Sequence, residues 1–72
     1  MNSVTTYRTH APKSNPHPDP RGVAIDAPYD RDFVARVKQL PRWCYEWRPQ
    51  EEVWVVDAAV WPWVRALLNE HY

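Results

Sequence analysis

Five tryptophans fall between positions 43 and 63 of a 72-residue chain: Trp43, Trp47, Trp54, Trp61 and Trp63. They decide how so short a chain can close a core. A domain of this size buries only about 60% of the surface its unfolded form exposes, so it needs reinforcement. A disulfide cannot supply it, because Cys44 is the single cysteine. His10, His17 and His71 match no zinc-ligand spacing, so neither a metal nor another cofactor is expected. Ring burial is what remains. A buried tryptophan removes roughly 150–250 Å² from water, worth about 4–6 kcal/mol gross before chain entropy is subtracted.

Residues 1–21 have a different character. Pro12, Pro16, Pro18 and Pro20 are separated by Ser, Asn, His and Asp, and the large apolar groups are only Met1, Val4 and Tyr7. Such a segment cannot offset its ordering entropy by burial, so it is expected to be a flexible, proline-rich tail. Gly22 marks the change to a single domain over 22–72.

Within that domain, Val23–Ala27 is a short strand candidate ended by Pro28. Asp30 is placed to cap a helix over 31–40, where Phe33, Val34, Val37 and Leu40 form one stripe and Pro41 stops the run. Arg42–Arg48 alternates strictly, with Trp43, Tyr45 and Trp47 on one face and Arg42, Cys44, Glu46 and Arg48 on the other. After a Pro49-Gln50-Glu51 turn, a second strand over 52–57 places Trp54 and Val56 on one side and Val53 and Val55 on the other. A last helix over 59–71 gathers Val60, Trp61, Val64, Leu67, Leu68 and His71 on one side, with Trp63 at the border and Pro62 in the first turn. The expected fold is α+β in the order β-α-β-β-α. A small three-stranded sheet carries both helices on the face formed by Trp43, Tyr45, Trp47, Trp54 and Val56.

Formal charge is zero overall, divided as +2 over residues 1–21 and −2 over 22–72. A general nucleic-acid binder is markedly basic, so any nucleic-acid contact must be local. No apolar run approaches the roughly 20 residues needed to span a bilayer, and the N-terminus lacks a secretory h-region. With its lone cysteine, the chain is expected in the cytoplasm.

Two stretches resemble a known family. Residues 28–41, from Pro28-Tyr29-Asp30 through Val37-Lys38-Gln39-Leu40-Pro41, resemble the first helix of the HARP (HepA-related protein) domain found beside annealing-helicase motors. Trp47-Arg48-Pro49-Gln50-Glu51-Glu52-Val53-Trp54-Val55-Val56 resembles its hairpin, and Trp61 with Leu67-Leu68 its final apolar helix. Arg48 stands where the family has Asp before the turn proline, Glu52 where a basic residue is common, and the motor is absent. The resemblance covers about fifty residues. It implies binding of branched or forked DNA, related to damage recognition in repair helicases.

The candidate nucleic-acid contacts are Arg36, Lys38, Arg42 and Arg48 for phosphates and Trp63 as a stacking ring. Their ordinary reading is solvated charge and a border aromatic. Val53 and Val55, with Cys44, form a candidate protein interface on the sheet face away from the helices. That face suits the alternative function, a protein-binding accessory or inhibitor, of the kind encoded by phages and mobile elements, that docks on a host protein. No nucleophile–base pair, carboxylate pair or phosphate loop is present, so no catalysis and no small-molecule substrate are expected.

Overall fold

The computed structural model describes residues 4–16 and 21–72. Residues 1–3 and 17–20, which include the expected tail's Pro18 and Pro20, lie outside the described residues. The fold is α+β: an antiparallel sheet of four strands with two helices. Strand β1 is Thr5–Thr9, β2 Gly22–Asp26, β3 Tyr45–Arg48 and β4 Val53–Asp57; helix α1 is Arg31–Val37 and α2 Trp61–His71. The sheet order is β1-β2-β4-β3, so β2 and β4 are central and β1 and β3 form the edges.

Sequence and structure agree on the inner layer. Asp30 caps α1, its carboxylate accepting from the Phe33 amide at 2.9 Å. Pro62 sits in the first turn of α2, where a missing N–H costs nothing. The helices bury Phe33, Val37, Val64, Leu67 and Leu68 against Ile25 and Val56 of the sheet. Tyr45, Trp54, Trp61 and Val23 pack around this cluster.

Three differences have physical causes. First, the sheet has four strands, not three. Thr5–Thr9, inside the expected flexible tail, pairs along its length with β2, from Thr5 opposite Asp26 to Thr9 opposite Gly22. Its side chains carry almost no apolar alternation. Its ordering comes from backbone pairing on a strand edge and from Val4, which packs on the core.

Second, the strand expected over 42–48 begins only at Tyr45. Arg42–Cys44 is a 3-10 turn in which the Cys44 amide donates to the Pro41 carbonyl at 2.9 Å. The alternation from Arg42 to Cys44 therefore does not describe sheet faces, and Trp43 is not in the aromatic row with Tyr45 and Trp47.

Third, the outer sheet face is closed. The register places Gly22, Ala24, Val53, Val55 and Asp57 together on the side away from the helices. Val53 is 3% exposed and Val55 fully buried, clustered with Ala24. The segment following β1 crosses this face. Ala11 and Pro12 are themselves buried. Arg48, on the same face, donates to Thr9 Oγ1 at 3.1 Å and to the His10 carbonyl at 3.2 Å. The Asn15 side-chain amide donates to the Asp57 carboxylate. This strap, residues 10–16, replaces the open apolar patch that alternation alone implies.

Candidate functional site

On the helix side, α2 lies over β4 and packs against α1, but β3 at the sheet edge is not fully roofed. An open groove of about 1010 Å³ results between α1 and the β3–β4 hairpin. Its aromatic wall follows from register. Trp47 is directly opposite Trp54, and Tyr45 shares their face. The Trp47 and Trp54 rings lie 5.2 Å apart at 54°, and Tyr45 lies 6.2 Å from Trp54. Trp47, expected in the core, is 45% exposed, while Trp54 is half-buried. The edge position of β3 is the reason: a ring there has a neighbour on one side only.

Lys38 and Arg42 stand on the groove's rim. Lys38 is the residue on which α1 ends, and Arg42 opens the following 3-10 turn after Pro41. Neither has an ion-pair partner among the described residues. Tyr29, 80% exposed, lines the groove on the far side of the Asp30 cap. Asp26, Asp30, Glu46 and Glu52 also line it. Of these, Asp30 is engaged in capping α1, while Asp26 and Glu46 alternate towards the opposite face of the sheet, where Glu46 pairs with Arg48 Nε at 2.8 Å.

The other sequence candidates are dispersed. Arg48 faces the opposite side of the sheet, bound to Glu46 and to the strap, so it is a structural residue and not a contact at this groove. Arg36 is exposed on α1 but does not line the groove. Trp63 is 40% exposed on α2 and likewise lies outside it. Val53 and Val55 are buried under the strap and present no docking face. That Trp47 shares a groove with Lys38 and Arg42 does not follow from strand alternation, which places Trp47 in the core. The signal was its place on the first strand of a terminal hairpin, which is an edge unless a later strand covers it.

Cys44 is buried, and burial followed by the nearby Asp57 carboxylate pushes its thiol pKa up. A thiol kept protonated is a poor nucleophile. Asp57 is itself occupied, accepting from the Ala59 amide at 2.8 Å and from Asn15. Among the described residues no group of three or more His, Cys, Asp and Glu is placed to hold a metal ion. No helix among them is long and apolar enough to cross a membrane. No protein-family model, curated protein or solved structure matches the chain.

Proposed function

We propose that the protein is a non-catalytic binding module that holds nucleic acid in the groove beside β3, preferring forked or partly single-stranded DNA. The observation that carries this reading is that Lys38, Arg42 and the exposed Trp47 ring line one groove. An unpaired base offers a π-face to an indole, and adjacent cations meet the flanking phosphates. The resemblance of residues 28–41 and 47–56 to the HARP helix and hairpin supports the same reading, because the groove lies between those two elements.

The test is fluorescence anisotropy of labelled forked, single-stranded and blunt duplex DNA across a salt series. Fork and single strand bind more tightly than blunt duplex. Two phosphate contacts give a slope of log K against log salt of about −1.4 to −1.8. Trp47→Ala weakens binding by about 1–3 kcal/mol, the worth of a stacked base. Lys38→Gln with Arg42→Gln flattens the salt slope. Absence of binding to all three DNAs at about 50 mM salt overturns the proposal.

A second reading rests on Glu52, an exposed carboxylate beside the aromatic wall of the same groove. With Trp47 it suits a protein segment that combines apolar and basic side chains, docking in the groove and not on the closed sheet face. Capture of one stoichiometric protein, unaffected by nuclease and lost in Trp47→Ala, favours it over DNA.

A further inference from the structure

The two edges of the sheet are not alike. β3 is four residues long, runs into Pro49, and carries Glu46 and Arg48 as an ion pair. Shortness, proline and charge are devices that keep a strand edge from pairing further. β1 is less protected. Its five residues, Thr5-Thr6-Tyr7-Arg8-Thr9, hold no proline and a single charge. Threonine and tyrosine favour extended backbone. β1 pairs with β2 over its whole length, and no strand lies beyond it among the described residues. Alternate residues along it therefore turn their amides and carbonyls away from the sheet.

β1 is also open on both faces. Register puts Thr6 opposite Ile25 and Arg8 opposite Val23, so Thr6 and Arg8 stand on the helix side, where both are exposed. A concavity of about 460 Å³ separates this strand from Trp61 at the start of α2. Thr5 and Tyr7 stand on the other face and are exposed as well. The strap leaves β1 after Thr9 and crosses towards Arg48 and Asp57, so it does not cover them. Neither the helices nor the strap stand in the way of a further strand.

We infer that β1 is a dimerisation edge, to which a second copy of this chain adds its own β1, antiparallel, about a two-fold axis at Tyr7. The order of residues in the strand selects a second copy as the occupant. In that register Tyr7 faces Tyr7, Thr5 faces Thr9 and Thr6 faces Arg8. Aromatic pairs and threonine pairs are favourable across strands, and no charge directly faces a like charge. Each residue also faces one of the same alternate set, so outward amides meet outward carbonyls whichever set points out. The product is one continuous sheet with the helices of both copies on one side. A five-residue pairing is small beside a standard interface, so the dimer is a weak one. The edge is separate from the groove, which no β1 residue lines.

Sedimentation equilibrium of the full chain, from micromolar to millimolar concentration, tests this. A monomer–dimer equilibrium is expected, with concentration-dependent amide shifts centred on Thr5–Thr9. Tyr7→Lys and Tyr7→Glu each weaken association about tenfold, since the axis sets like charges face to face. Mixing the two variants in equal amounts restores it, because opposite charges then meet. The two Arg8 side chains lie diagonally across the axis, so added salt tightens the dimer, whereas it weakens nucleic-acid binding in the groove. A chain that stays monomeric at millimolar concentration overturns the inference and leaves the edge to a strand of a different protein. Self-association that both Tyr7 substitutions leave intact also overturns it, since the contact then lies elsewhere. So does a mixture that associates no more than each variant alone.

Discussion

Gly22 shows how a single missing side chain lets a sheet face close. A Cβ built at this position would lie 2.7 Å from the His10 carbonyl oxygen and 2.9 Å from the Ala11 Cα. Both are backbone atoms, and both belong to the strap, so neither can swing aside as a side chain would. Gly22→Ala is therefore expected to destabilise the protein by about 1–3 kcal/mol, the range for overpacking a close contact. Urea denaturation measures the loss, and faster hydrogen exchange at residues 10–16 locates it. Asp57 completes the same closure from the other strand. It is the one buried charged residue described, and it joins Asn15 to the turn before α2. The opposite case is Glu52, held at φ 56° in the β3–β4 loop, a conformation that favours glycine.

At the scale of elements, the short α1 is held less by its own hydrogen bonds than by the end of α2. Isolated helices of its seven residues are unstable in water. Phe33 meets the Tyr72 ring edge-on at 5.7 Å and the His71 ring at 6.2 Å. The Tyr72 hydroxyl donates to the Pro28 carbonyl, just ahead of the Asp30 cap, and His71 Nδ1 lies 3.7 Å from Asp30. Burial, with the Asp30 carboxylate adding to it, pushes the Tyr72 phenol above its ordinary value of 10.0. The phenol must be neutral to donate, so this docking is intact below that value and weakens as pH rises through the raised one. Cys44 acts in the same direction from its ordinary 9.0 upward. The expected outcome is loss of stability on the alkaline side, above about pH 10 for the phenol. Tyr72→Phe is less stable at neutral pH, having lost the hydrogen bond, and shows a shallower alkaline decline. Thermal denaturation of the two forms from pH 7 to 11 checks this, and parallel declines would remove Tyr72 as the cause.

For the whole molecule, the sheet is a layer covered twice: by helices on one side and by the chain's own N-terminal segment on the other. The second cover makes residues 4–16 part of the folded unit. Deleting residues 1–20 removes β1, exposes Ala24, Val53 and Val55, and frees Arg48 from the strap. Such a truncated chain is expected to be markedly destabilised and to self-associate through the uncovered face. Sedimentation and denaturation of the two lengths test this. A truncated form that is monomeric and equally stable would show the strap to be dispensable. The same architecture leaves two openings, one beside each edge strand, because two short helices cannot roof four strands.

The helices and the hairpin were legible from the chain because local chemistry specifies them. Asp30 and Pro41 bracket α1, Pro62 limits where α2 can start, and the alternation of Val53 to Asp57 follows the two-residue period of a strand. Lys38 and Arg42 were visible as cations around a helix stop, but their sharing a groove with Trp47 was not, because it depends on which strand lies at the edge. Residues 4–16 were illegible for a related reason. Threonines, prolines and an asparagine bring little apolar surface to bury, so no periodic stripe marks them, and they are ordered by partners 13 to 42 positions away. By itself, then, the amino-acid order determined which segments curl or extend, since those preferences act within a turn or two. Only the tertiary structure decided which faces are covered, because covering a face requires surfaces distant in the chain to meet.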